Sequence, residues 1–460
     1  MKEGSFPVSP QNTSSAARTS LRVNGTEHLL HPEQLTVPLL HTLRELGFTS
    51  CKEGCGEGEC GACAVVIRSA SPQGSPYTPL NACLTLTGSV VHHDVLTAEG
   101  LHQHPVQEAM VNFNGSQCGY CTPGFVMSMF AEYYRERPFD LEAISGNLCR
   151  CTGYRAIRDA ALSLPEHAPD AFSALELPDV QALESGHFCR PTSLQDALLH
   201  LQAHPDAKVL AGGTDAIVEY NQRDVRPERY LDVNLIPELK VLSRTENGHQ
   251  VGAAVTLSEL ESILPAGLKR DWLDRYASRL IRNRATLGGS LVTASPIGDA
   301  APLLLALDAQ VFIATLEGEK RVFLSEFFTG YRSTLLKPGE LVQAIEFAEI
   351  PETLQFCKVT KRHHDDISSV ALGLDIRMDE GVISHARIGL GGVAATPIRA
   401  REAEERMVGK KPDEALKVAM EVLQDSLKPL SDHRASSEYR KQVTLKLIEA
   451  YFQAHLGVSV

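Results

Sequence analysis

Nine of the eleven cysteines in this 460-residue chain fall between Cys51 and Cys151. Such crowding limits what the first third of the chain can become. The opening stretch, Met1 to Thr19, is rich in Ser, Pro and Ala and lacks the apolar run of an export signal, so a disordered leader over 1–19 in a reducing, cytoplasmic setting is expected. There, clustered thiols favour metal over disulfides. Cys189 and Cys357 stand alone and are expected to be small buried hydrophobes.

The run CGEGECGAC supplies Cys55, Cys60 and Cys63 in a C-x4-C-x2-C spacing, completed by Cys83. This is the plant-type [2Fe–2S] spacing. Three thiolates must converge from one loop, and Gly54, Gly56, Gly58 and Gly61 let that loop curl and aim N–H groups at sulfur. A four-thiolate zinc site is the alternative. Zinc knuckles usually pair two short C-x2-C hooks, whereas here three cysteines share one loop. Cys51, four residues ahead of the motif, is expected to be a non-ligand.

A second set follows: Cys118 and Cys121 in QCGYCTPG, then Cys149 and Cys151 in GNLCRCTGYR. Helical signals surround it, with Val126, Met129, Phe130 and Tyr133 on one face and Ala156 to Leu164 beyond. The four thiolates are expected at helix ends, where N–H groups offset their charge, with Arg150 and Arg155 nearby.

The two sets in this order resemble the iron–sulfur part of the molybdenum hydroxylases, the xanthine dehydrogenase/aldehyde oxidase family. The resemblance implies a β-grasp ferredoxin domain over 20–100 and a four-helix [2Fe–2S] domain over 101–165. Cys55, Cys60, Cys63 and Cys83 would hold one cluster, and Cys118, Cys121, Cys149 and Cys151 the other. Gln117 matches a residue that touches molybdopterin carried by the catalytic part.

Ahead of these motifs, Asn24-Gly25 between two apolar runs predicts a hairpin, and Leu39 to Leu46 a helix stopped by Gly47. Ala64 to Ile67 reads as a strand, and Pro72, Gly74, Pro76 and Pro79 as a loop. Three prolines between 165 and 183 predict a linker over 166–184. Strand and helix signals then alternate to about residue 350. A hairpin (Val370 to Arg377, Ala386 to Val393) and long helices from Pro412 and Ser436 make a C-terminal lobe over 351–460.

In the 185–350 part, Gly212-Gly213-Thr214-Asp215 directly follows a short strand, a place where backbone N–H groups can cradle a pyrophosphate. The spacing is not G-x-G-x-x-G, which argues against a Rossmann site. A second glycine-rich run, RNRATLGGSLVTASPIGDAAP, begins at Arg282. Both runs are similar to the family's flavin domain, a p-cresol methylhydroxylase-type FAD-binding α/β fold. By that resemblance Lys208, Val209, Leu210, Ala211, Gly212, Gly213, Thr214, Asp215 and Ala216 form one FAD loop. Thr286, Leu287, Gly288, Gly289 and Ser290 form the second. Asp299, Val342 and Lys358 are flavin contacts, Tyr276 stacks on adenine, and Asp365 tunes the ring beside His363 and His364.

The whole is therefore expected to be an α+β multidomain electron carrier with two [2Fe–2S] clusters and FAD. The resemblance implies a molybdopterin-binding large subunit as partner, in a heterotetramer of two small and two large chains, with NAD as acceptor. Clusters fused ahead of the flavin favour the xanthine-oxidising members over those acting on aldehydes or N-heterocycles. From another class, a stand-alone reductase or a protein using metal only to fold would also fit the cysteines. A net charge of −13 gives no footprint for nucleic acid or an anionic membrane.

Overall fold

A computed structural model describes residues 19–69, 74–135, 138–167, 170–173 and 176–458. The expected leader, Thr19 apart, and Pro72 lie outside them.

The hairpin forms where Asn24-Gly25 indicated. Strands Ser20–Val23 and Thr26–Leu29 flank a turn in which both central residues have positive φ, 49° and 81°. They join a five-stranded sheet in the order Thr26–Leu29, Ser20–Val23, Asp94–Leu96, Ala64–Arg68, Tyr77–Asn81. Helix Leu39–Glu45 packs Leu39, Leu40 and Leu43 on it, the β-grasp arrangement. One expectation is corrected here: Pro79 lies in a strand, opposite Val66, not in a loop. The strand is at the sheet edge, where a residue without an N–H interrupts no ladder.

The next unit is built on helices Pro105–Asn112, Thr122–Tyr133 and Arg155–Leu162, with a 3-10 turn, Leu141–Ile144, in the place of a fourth α-helix. Thr122–Tyr133 is not amphipathic as its spacing suggested. Every residue from Gly124 to Tyr133 is buried, because the helix is pressed between its neighbours and strand Ala64–Arg68. The described linker residues run against this unit and the first sheet: Asp170 accepts from Tyr134 Oη at 2.6 Å, the Phe172 carbonyl from Tyr77 Oη at 2.7 Å, and Gln181 N–H donates to His92 Nδ1 at 3.3 Å.

The flavin-type part holds two sheets. Strands Phe188–Arg190, Tyr230–Asp232 and Lys208–Leu210 are parallel, with Leu183–Ser185 antiparallel at one edge. The other sheet is antiparallel, in the order Leu242–Thr245, Gly248–Gly252, Leu341–Phe347, Gln310–Thr315, Gly318–Phe323. The C-terminal lobe lays helices Arg401–Met407, Pro412–Ser426 and Ser437–Leu456 around the long hairpin Val370–Asp379/Val382–Gly391. Helix Ala300–Ala306, wholly buried, joins the two parts by packing on that hairpin. No helix among the described residues is long and apolar enough to cross a membrane.

Candidate redox centre

The eight motif cysteines are all free and come together as sulfur pairs. In the second set Cys151 Sγ lies 3.5 Å from Cys118 Sγ. Cys55 with Cys60, Cys63 with Cys83 and Cys121 with Cys149 lie close enough to shift one another's ionisation, and Cys63 Sγ also donates to Asn81 Oδ1 at 3.7 Å. No group of three or more His, Cys, Asp or Glu side chains among the described residues is arranged to hold a single ion. Pairs are what a binuclear centre asks for, two thiolates on each iron, whereas tetrahedral zinc needs four about one point.

The pairs ionise unevenly. The interaction between Cys55 and Cys60 lowers Cys55 to about 5 and pushes Cys60 well above the ordinary thiol range, Cys83 is raised beside Cys63, and burial lifts Cys121 to about 12 while hydrogen bonds from Thr152 hold Cys149 down against its burial. Holding all four of a set as thiolates therefore calls for positive charge between them. Backbone donors are in place as well: Glu57 N–H points at Cys55 Sγ at 3.4 Å and Thr152 N–H at Cys149 Sγ at 3.4 Å. Cys121 caps helix Thr122–Tyr133, whereas Cys118, Cys149 and Cys151 sit in loops, so the expectation that all four lie at helix ends holds for one. Arg150 and Arg155 are exposed. Cys51 is buried and donates to the Cys63 carbonyl at 3.3 Å, outside both sets. Cys189 is buried and Cys357 half-buried.

The two cysteine loops touch. Leu148 N–H, one residue before Cys149, donates to the Cys60 carbonyl at 3.0 Å, and Asn147 Nδ2 to the Gly61 carbonyl at 3.1 Å. Gly124 is required at this seam, since a Cβ there would lie 2.2 Å from the Gly61 oxygen. On its far side the first loop meets the flavin-type part. A Cβ on Gly213 would lie 3.2 Å from the carbonyl of Leu84, next to Cys83, and Asn221 Nδ2 donates to the Cys83 carbonyl at 2.8 Å.

The two glycine runs also meet. A Cβ on Gly212 would lie 1.9 Å from the Arg284 carbonyl, so only glycine allows this approach. The amides of Gly212, Gly213, Thr214 and Asp215 donate to nothing among the described residues. Four free N–H groups where strand Lys208–Leu210 turns into helix Ala216–Arg223 form a cradle suited to a diphosphate. In the second run Thr286 caps helix Leu287–Val292 by accepting from Gly289 N–H at 3.1 Å, and Ser290 Oγ lies 3.3 Å from Tyr276 Oη. Half-buried Tyr276, its hydroxyl pushed up to about 12 by burial, thus sits against this run. Lys208 is exposed at the start of its strand, and Val342 is buried in the antiparallel sheet within the core that includes Leu287.

Asp299 and Lys358, separate in the sequence, form one buried ion pair at 2.7 Å; Ser368 also donates to Asp299 at 2.5 Å, and Lys358 to the Arg275 carbonyl at 2.8 Å. Asp365 has φ 49° and faces the first cysteine loop across the seam, near Cys55 and Glu59. Burial raises Asp365 to about 6 against the opposing pull of Arg362, and burial and Asp365 raise Glu59 to about 7. His363 and His364 are exposed and stack edge-on, 4.4 Å apart. A cleft of about 750 Å³ lined by Asp308, Glu346, Arg387 and Arg399 lies at the other end of helix Ala300–Ala306 from Asp299; it contains none of the residues named from the sequence.

Asn221, Gln222, Glu59 and a buried ion cluster went unseen in the sequence. In that cluster Glu132 accepts from Arg135 at 2.6 Å and Arg279 at 2.8 Å, while Glu142 pairs with Arg279 and Arg282. It ties the helical unit to the residues just ahead of the second glycine run.

Comparison with known proteins decides the family. Four family models match consecutively: a 2Fe-2S iron-sulfur cluster binding domain at 21–87, a [2Fe-2S] binding domain at 97–162, an FAD binding domain in molybdopterin dehydrogenase at 181–351, and a CO dehydrogenase flavoprotein C-terminal domain at 355–455. The chain belongs to the molybdenum hydroxylases. It carries their two iron–sulfur domains and their FAD-binding domain. Xanthine dehydrogenase 1 of Arabidopsis thaliana is 32% identical over 94% of this chain and 39% of its own length. Xanthine dehydrogenase/oxidase of Gallus gallus is 29% identical over 95% of this chain and 40% of its own. The chain thus spans about two-fifths of these relatives. Among solved structures, carbon monoxide dehydrogenase from Hydrogenophaga pseudoflava matches with a TM-score of 0.54 and 26% identity, over 59% of this chain and 97% of that one. Quinoline 2-oxidoreductase from Pseudomonas putida 86 matches with a TM-score of 0.52 and 28% identity, over 59% and 98%.

Proposed function

We propose that this chain is the electron-transfer subunit of a xanthine dehydrogenase, joining a molybdopterin-binding partner to NAD. The observation that carries the reading is the continuous line of contacts from the second cysteine set, through the Leu148–Cys60 hydrogen bond, to the first set and on to the Gly212–Asp215 loop. Each chain element in the line has one task. Cys118, Cys121, Cys149 and Cys151 hold one cluster and Cys55, Cys60, Cys63 and Cys83 the other. The amides of 212–215 and the 286–290 run hold the FAD diphosphate, Tyr276 borders the adenine, and Asp299, Val342 and Lys358 border the flavin. When bound, the clusters carry one electron each and the flavin delivers pairs as hydride to NAD.

Exposure supports a docking face for the partner beside the second cysteine set. Cys118, Cys151 and Gln117 are exposed, and Tyr120, Leu148 and Tyr154, within three residues of these cysteines or of Cys149, leave apolar surface in solvent. Such a patch marks an interaction site. A heterotetramer of two small and two large chains is the assembly this reading implies, in a reducing cytoplasm where eight thiols stay free.

Purine specificity is supported by reach: the xanthine dehydrogenases align over 94–95% of this chain, iron–sulfur and flavin parts together, whereas the quinoline and carbon monoxide enzymes' chains cover 59%. The likeness to quinoline 2-oxidoreductase favours a second reading, a sibling acting on another N-heterocycle. Copurification with the partner and assay of NADH formation separates them. Turnover of xanthine is expected; turnover of another heterocycle with xanthine inert establishes the sibling.

A further inference from the structure

Helix Ala216–Arg223 begins at the Gly212–Asp215 cradle and ends on the first cysteine loop. In its last turn Asn221 divides the two hydrogens of one side-chain NH2 between that loop, at the Gly56 carbonyl (2.9 Å), and the turn that carries Cys83, at the Cys83 carbonyl (2.8 Å). Gln222 Nε2 donates to the Cys55 carbonyl at 2.9 Å. Two neighbouring amides therefore grip one cysteine from each sulfur pair, across 138 to 167 residues of sequence.

The Gly56 contact has an electronic consequence. The Gly56 carbonyl belongs to the peptide whose N–H, on Glu57, points at Cys55 Sγ at 3.4 Å. A donor on the carbonyl polarises the peptide and strengthens the N–H···S bond at its other end. Hydrogen bonds to the sulfurs help set the reduction potential of an iron–sulfur cluster.

We propose that Asn221 and Gln222 are positioning residues that raise the reduction potential of the first cluster and hold it in register with the flavin loop on their own helix. The proposal rests on the iron–sulfur and FAD reading above. Asn221 carries the larger share, because it acts on both sulfur pairs and through Glu57 N–H. Gln222, exposed and bonded to one carbonyl, carries the smaller. Losing the donors leaves charge on sulfur less compensated and makes the reduced cluster harder to form.

The test is an EPR-monitored redox titration of the holoenzyme, with iron and FAD content measured alongside. Asn221→Leu is expected to retain iron and FAD and to lower the potential of one cluster alone, by about a tenfold change in its electron-sharing equilibrium with the other, ~59 mV for one electron. Asn221→Asp, which sets a negative charge against the same carbonyls, is expected to lower it further. Gln222→Met, at the surface, keeps the fold and is expected to give a smaller shift of the same sign. An unmoved first cluster in Gln222→Met and Asn221→Leu, or an equal shift of both clusters, overturns the proposal. Wild-type protein without two distinct cluster signals overturns the underlying reading instead.

Discussion

The two cysteine sets hold the same number of thiols yet sit in opposite surroundings. The first is enclosed: Cys63 and Cys83 are each 3% exposed, and the β-grasp sheet, the helical unit and the flavin-type part all press on its loop. The second keeps only Cys149 buried and leaves Cys118 and Cys151 in solvent beside an apolar patch. A redox group held between two others needs fixed neighbours on both sides, while one that meets a separate partner needs a face left open. The difference gives the line of contacts a direction, from an open end to a flavin end.

The sharpest way to break this comparison is to remove one thiol from each set. Cys83→Ala is expected to abolish the first cluster, halve the iron and stop substrate-driven reduction of the flavin, and to lower Tm because the three units pack on that loop. Cys151→Ala is expected to halve the iron too, while leaving the first cluster's EPR signal and the Tm of the flavin-type part nearly unchanged. Equal losses of Tm would erase the distinction.

Next in size is the buried ion cluster that fixes the helical unit to the flavin-type part. Glu132→Leu removes the carboxylate that Arg135 and Arg279 share, while Arg279 keeps Asp140 and Glu142. Breaking a buried pair from one side costs about 3–5 kcal/mol when the charge is left alone, so a loss at or below the low end of that range is expected, readable by denaturant unfolding. A smaller effect is expected for Gly212→Ala, whose new Cβ forces the two glycine runs apart; overpacking costs about 1–3 kcal/mol. FAD content should fall while iron stays at the wild-type level.

The smallest effect is a pH dependence at the seam facing the enclosed set. Asp365 is raised by burial to about 6. A raised carboxyl contributes stability in its protonated form, complete below the ordinary aspartate value of about 3.9 and lost as pH rises through about 6. Asp365→Asn keeps the neutral form, so its Tm should exceed wild type at pH 7 and the gap should close toward pH 5.

Much of this site was legible in the sequence, for physical reasons. Plant-type [2Fe–2S] clusters are held by cysteine thiolates, and three cysteines on one short loop form a pattern visible without a structure, which is why the set Cys55, Cys60 and Cys63 stands out. Asn24-Gly25 marked its hairpin because few residues accept positive φ. Pro79 misled, since proline signals a loop unless the strand is at an edge, and edge position belongs to tertiary structure. The face of Thr122–Tyr133 misled because burial on every side comes from what packs around a helix, not from its spacing. Asn221 and Gln222 were invisible: an amide bonded to a carbonyl more than a hundred residues away leaves no pattern in either segment. The Asp299–Lys358 pair and the Glu132–Arg279 contact were hidden in the same way.

The most direct measurement is the iron, acid-labile sulfide and FAD content of the purified chain, taken with its visible spectrum. The account predicts about four irons and four sulfides per chain, with one FAD, in a brown protein. A colourless protein carrying zinc, or one with about two irons and flavin but no second EPR signal, would contradict it.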